Sequence, residues 1–212
     1  MNPSLNTVIQ TFRENYKGLP LAFFIAGGGF SCLDFRRYPG SSKMYHTAVE
    51  PYNEDTVNFL NKFANAGIAD PHNFNFVNPE GTLQALEALQ NYCDKSGLAY
   101  VVVNSALTTD RWRRGDNRAY IALSNGDMFI FKLSKIDEDS YRILSEKNPR
   151  AIDEYRRRED HKVGQVVLSI LLNDPTLCPE LEEGEEIVRL KKLTTGPGGW
   201  NVPSASDIFA AG

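Results

Sequence analysis

The chain has 212 residues, of which 42% are hydrophobic and 24% charged, and its net charge is −4. Such a chain buries a sizeable core without a metal or disulfide staple, and its acidic balance argues against general nucleic-acid binding. Cys32, Cys93 and Cys178 are odd in number and far apart, with no Cys-x-x-Cys spacing, which is the pattern of reduced thiols in a cytoplasmic protein.

Met1 to Gly18 carries Arg13, Glu14 and Lys17 and no long apolar core, so it does not read as a signal peptide. No apolar run approaches the roughly 20 residues that span a bilayer. Asn6 to Tyr16 is predicted as an amphipathic helix with Val8, Ile9 and Phe12 on one side. Leu21 to Ala26 is a continuous apolar run, the signature of a strand buried on both faces, and Gly27-Gly28-Gly29 stops it. A short helix over Phe30 to Arg37, a strand over Ser42 to Val49 and a helix over Glu54 to Ala66 follow. Asn78-Pro79-Glu80-Gly81-Thr82 opens another helix, with Leu83, Leu86, Leu89 and Tyr92 at helical spacing.

Ala99 to Val103 is the second buried strand and leads into Asn104-Ser105-Ala106-Leu107-Thr108-Thr109. Ser124-Asn125-Gly126 between Arg118–Leu123 and Asp127–Leu133 signals a hairpin. Tyr141 to Leu144 is predicted as a further short strand, Pro149 to Leu172 as the longest helix and Ile187 to Leu190 as a last strand. The tail from Thr194, rich in Gly, Pro, Ser and Ala, is expected to be loosely ordered. Interleaved helices and strands with one hairpin predict a three-layer α/β/α domain with a mixed sheet. The reading places that domain over residues 1–175, with 176–212 as an extension bearing one strand.

Four features bear on chemistry. Gly28 and Gly29 after a strand can present bare amides to a phosphate, although no Gly-Lys-Ser/Thr follows to make a P-loop. Ser41 and Ser42 are candidate nucleophiles or ligand contacts, with Lys43, Tyr45, His46 and Tyr52 near enough in sequence to supply a base. Arg111, Arg113 and Arg114 flank Trp112 after the second buried strand, where α/β proteins hold ligands, and arginine suits a phosphate. Arg156-Arg157-Arg158 is balanced by Glu154, Glu159 and Asp160 and reads as a solvated helix face. No His and Cys spacing suits a metal, and no cofactor is expected.

With Pro39-Gly40-Ser41-Ser42, Tyr52-Asn53, the helix from Asn78 to Leu89, Ala99 to Ser105, the hairpin over Tyr120 to Leu133 and the helix Arg156 to Leu172, residues 5 to 173 resemble the C-terminal domain family of the competence-damage protein CinA. Active members of that family are amidohydrolases that convert nicotinamide mononucleotide to nicotinic acid mononucleotide and ammonia. The resemblance implies that fold, a homo-oligomer, and a site around Ser42, Tyr52 and Ser105, with Lys43 or Tyr52 assisting proton transfer and Thr108 beside them. Ala26-Gly27-Gly28-Gly29 stands where the family has Glu-Ser-Cys-Thr, and the family's lysine falls near Val57. Three functions stay open: a divergent amidohydrolase, a catalytically silent binder of a nucleotide or phosphorylated ligand, and a structural or assembly protein that keeps only the fold.

Overall fold

The computed structural model describes residues 3–51, 54–70 and 76–190, and the backbone of 195–196 and 199–200. The expectations for Tyr52, Asn53 and most of the tail from Thr194 fall outside the described residues.

Helix α1 (Leu5–Asn15) starts at Ser4, whose hydroxyl accepts the Thr7 amide, and turns Val8, Ile9 and Phe12 inward. Strand β1 (Leu21–Ala26) is buried at every position, as its unbroken apolar run requires. A 3₁₀ helix (Phe30–Arg37) and a second 3₁₀ turn (Ser41–Lys43) lead to β2 (Tyr45–Val49). Helices α2 (Glu54–Ala64) and α3 (Pro79–Cys93) cross to β3 (Ala99–Ala106). The hairpin is β4 (Arg118–Leu123) and β5 (Met128–Lys132), with Gly126 at φ +88 in its turn. Then come α4 (Glu138–Lys147), the long α5 (Pro149–Leu172) and β6 (Glu186–Leu190).

The six strands form one sheet in the order β2-β1-β3-β4-β5-β6. β1 pairs parallel with β2 and β3, while β4, β5 and β6 are antiparallel to their neighbours. One face packs on α1, the first 3₁₀ helix and α5, through Phe12, Phe23, Phe35, Val103, Phe131 and Val163. The other packs on α2 and α3, through Phe24, Leu60, Leu86, Leu89 and Val102. The α/β/α layering and the mixed sheet are therefore observed.

Two elements differ from the sequence reading. Tyr141 to Leu144 lies within helix α4, because Asp137 caps that helix by accepting the Ser140 amide at 2.9 Å, and Glu138 and Asp139 favour its first turn. The strand predicted from Ser42 begins only at Tyr45, because Ser41 to Lys43 close a 3₁₀ turn after Gly40 at φ +84. Among the described residues no helix is long and apolar enough to cross a membrane.

Candidate functional site

The chain leaves β1 for β2 on the α1/α5 side of the sheet, and returns from β2 to β3 on the α2/α3 side. This reversal falls at the carboxyl ends of β1 and β3, the position at which open α/β sheets hold ligands in a crevice. Gly27, Gly28 and Gly29 leave β1 there at φ +78, +151 and +89. A methyl group on Gly27 would stand 1.9 Å from the Ser105 carbonyl oxygen, so only glycine lets the two strand ends approach this closely.

The amides beyond these glycines already hold an anion. One carboxylate oxygen of Asp160, on α5, accepts the Gly29 and Phe30 amides at 2.6 and 2.9 Å, and the other accepts Ser31 at 3.0 Å. The turn where a phosphate was expected against Gly28 and Gly29 thus carries a carboxylate of the chain itself. Two further α5 side chains secure the crevice. Arg156 donates to the carbonyls of Thr108 and Gly27 at 2.7 and 3.0 Å, bridging the loops after β3 and β1. Glu159, buried, accepts the Thr108 amide at 2.6 Å, the Thr108 hydroxyl at 2.9 Å and the Asn117 side-chain amide at 2.6 Å. Burial pushes the Glu159 carboxyl above its ordinary value, and the bonds from Thr108 and Asn117 and the charge of Arg156 offset only part of that.

The run Arg156-Arg157-Arg158 with its balancing acids reads from sequence as a solvated face; Arg157 and Arg158 are exposed, whereas the structure turns Arg156, Glu159 and Asp160 to the strand ends. They continue the same helix stripe as Val163, Val166 and Val167, which is buried against the sheet. That i, i+3, i+4 spacing was the available signal. Charge balance masked it, since three arginines beside three acids look the same whether they face water or backbone carbonyls.

Ser105 and Thr108 lie in the crevice but are engaged internally. The Ser105 hydroxyl donates to the Gly28 carbonyl at 3.3 Å, and Thr108 is held by Glu159. Arg113 donates to the Leu107 carbonyl at 2.6 Å and to Asn117 at 3.1 Å. Its own carbonyl accepts Lys135, whose ammonium also sits 4.4 Å from the centre of the Trp112 ring. Arg111 and Arg114 are exposed, and their guanidinium groups make no hydrogen bond or ion pair among the described residues.

Ser41, Ser42 and Lys43 lie at the other end of the sheet. Tyr45, just after them, pairs with Leu21 at the start of β1, whereas Asn104 pairs with Ala26 at its end. Five strand steps of about 3.3 Å separate the two levels by roughly 17 Å. Ser42 and Lys43 are exposed, and their side chains have no partner among the described residues. The Ser41 hydroxyl donates to the Arg36 carbonyl at 3.1 Å. Within one chain the fold therefore does not bring Ser42 to Ser105 or Thr108. Among the described residues no group of three or more metal-ligating side chains is present.

The chain is similar to three solved structures over four-fifths of its length. A competence or damage-inducible protein from Enterobacter asburiae superposes with a TM-score of 0.54 at 8% identity, covering 80% of this chain and 99% of that one. A competence/damage-inducible protein from Agrobacterium tumefaciens gives 0.55 at 13% identity, covering 82% and 99%. The fold is CinA-like. A protein of the competence-damaged (CinA) superfamily from Enterobacter cloacae gives 0.55 at 6% identity, covering 81% and 94%. No protein-family model and no curated protein matches the chain. At such identities the CinA-like likeness concerns the backbone alone, and the side chains of the crevice are this chain's own.

The crevice yields a direct prediction. Asp160→Ala leaves three amides without their acceptor and should cost about 2–3 kcal/mol, measured by urea unfolding. A loss below about 0.5 kcal/mol would mean that water replaces the carboxylate freely.

Proposed function

We propose that this CinA-like chain holds a nucleotide or other phosphorylated ligand beyond the end of β3, through Arg111 and Arg114, and does not hydrolyse it. The observation that carries this reading is the separation of Ser42 from the crevice, together with its lack of a partnered base among the described residues. A serine hydroxyl needs such a base to become a nucleophile at neutral pH. Arg111 and Arg114 support the binding half, as uncommitted guanidinium groups after a strand end. The divergent amidohydrolase, with Ser42 attacking the carboxamide of nicotinamide mononucleotide and Lys43 or Tyr52 assisting, is the second reading. It is favoured by Pro39-Gly40-Ser41-Ser42. The homo-oligomer implied by the resemblance belongs to the same proposal and is read by light scattering.

The deciding experiment measures ammonia release from nicotinamide mononucleotide, with Ser42→Ala as control, alongside a thermal-shift series of the same nucleotide. The expected result is no release and a rise in Tm that Arg111→Leu/Arg114→Leu removes. Ser42→Ala should change stability by less than about 0.5 kcal/mol, because Ser42 is exposed and has no partner among the described residues. Release that depends on Ser42 would replace this reading with the amidohydrolase. No release and no shift with any nucleotide would leave the structural or assembly role.

A further inference from the structure

A second recess adjoins the strand-end crevice, with Glu159 between the two. It is a cavity of about 490 Å³ between the segment after β5, helices α4 and α5, and the segment leading into β6. That volume falls within the roughly 300–1,000 Å³ of small-molecule sites. One wall is apolar: Ile136, Ile143 and Leu144, with Ile143 48% exposed. Facing it on α5 are Tyr155 and Arg158, three residues and so about one helical turn apart. The Arg158 guanidinium carbon lies 4.3 Å from the Tyr155 ring centre, which holds the planar fork against an aromatic face.

Nearly every charge around the cavity has its own partner. Lys162 pairs with Glu182 at 2.9 Å and with Glu185 at 2.7 Å. Asp137 caps α4, and Glu159 is taken up by Thr108 and Asn117. Lys135 donates to the Arg113 carbonyl and covers Trp112. Arg158 alone among these has no hydrogen-bond or ion-pair partner among the described residues. The cavity therefore combines an apolar wall, an aromatic ring and one stacked guanidinium with its donors free.

We propose that this cavity binds a small molecule carrying a carboxylate or phosphate on an apolar or aromatic body. The body packs against Ile136, Ile143 and Leu144, and the oxyanion takes the Arg158 fork in paired hydrogen bonds. The site uses neither Arg111 nor Arg114, and neither proposal depends on the other.

The test titrates benzoate and phenyl phosphate into the full chain by two-dimensional NMR, with phenol as the neutral control. At least one of the two anions should bind at about 10 mM or below and shift signals of α4 and the Tyr155–Lys162 stretch, with phenol at least tenfold weaker. Arg158→Leu should weaken binding at least tenfold. Ile143→Trp, which fills the recess from an exposed position, should remove it, and both variants should keep the native thermal transition. Arg111→Leu/Arg114→Leu should leave the affinity unchanged. The proposal is overturned if neither anion binds, if Arg158→Leu binds as well as the parent, or if the shifted signals lie in the loop after β3.

Discussion

Gly27→Ala is expected to cost more than about 3 kcal/mol, a large share of the roughly 5–15 kcal/mol that keeps a domain folded. The reason is a backbone contact. The added methyl would sit 1.9 Å from the Ser105 carbonyl oxygen and 2.9 Å from its carbon, and neither atom can rotate away as a flexible side chain would. Ser105 is fixed within β3, one residue beyond the pairing of Ala26 with Asn104. The strand ends would have to part, which would also strain the Arg156 bridge between Gly27 and Thr108. Gly40→Ala is the matched control. Gly40 has a similar φ of +84, but nothing lies within 4 Å of the added methyl. It should cost only the left-handed backbone penalty of about 1–2 kcal/mol. Urea unfolding of both variants separates conformational strain from strand-end contact, and equal losses would refute the contact argument.

Lys162→Met should have a comparably large effect. Among the described residues Lys162 is the only cation paired with the buried Glu185, whose side chain is 1% exposed. Removing one partner of a buried pair typically costs about 3–5 kcal/mol, because the remaining charge has lost its compensation. Burial alone would raise the Glu185 carboxyl. The hydrogen bond from Lys162, the amides of Glu182 and Ser134 and the charge of Lys162 outweigh that and hold it below its ordinary value. Lys162 is the complement: burial lowers it, and the two glutamates more than restore it, so it titrates above its ordinary value.

The pH signs follow. The Glu185 contribution is present above the unfolded carboxylate range and is lost as pH falls through its lowered folded value. The Lys162 contribution is present below the unfolded lysine value and is lost as pH rises through its raised folded one. The gap between parent and Lys162→Met should therefore be widest near neutral pH and narrow below the carboxylate range, where Glu185 is protonated in both. Hydrogen exchange should show the first loosening at β6, because Glu185 precedes that strand and also accepts the Ser134 amide at 3.2 Å. A gap that stays constant from neutral to strongly acid pH would mean that the pair contributes no charge-dependent stability.

Much of this architecture is legible in local pattern. Leu21 to Ala26 and Ala99 to Val103 read as buried strands because unbroken apolar runs fit only a sheet covered on both faces. The Asn-Gly turn located the hairpin, and the apolar half of α5 declared its face through Val163, Val166 and Val167. Tyr141 to Leu144 misled because four residues cannot distinguish a strand from a helix whose cap, Asp137, lies outside the window.

The site was less legible, for a reason that follows from how charges report their surroundings. Apolar residues declare burial by their chemistry, whereas Arg156, Glu159 and Asp160 look alike in water and against backbone amides. The sequence by itself determined the layering and the buried strands, since both rest on local periodicity, whereas the need for glycine at Gly27 comes from the approach of Ser105 on β3. Only the tertiary structure decided that Asp160 fills the anion-binding turn, that Ser42 stands at the far end of the sheet from Ser105, and that Arg158 faces an open cavity. Those facts depend on which strand ends and helix faces meet across long stretches of chain, 131 residues for Gly29 and Asp160, and no local pattern encodes that meeting.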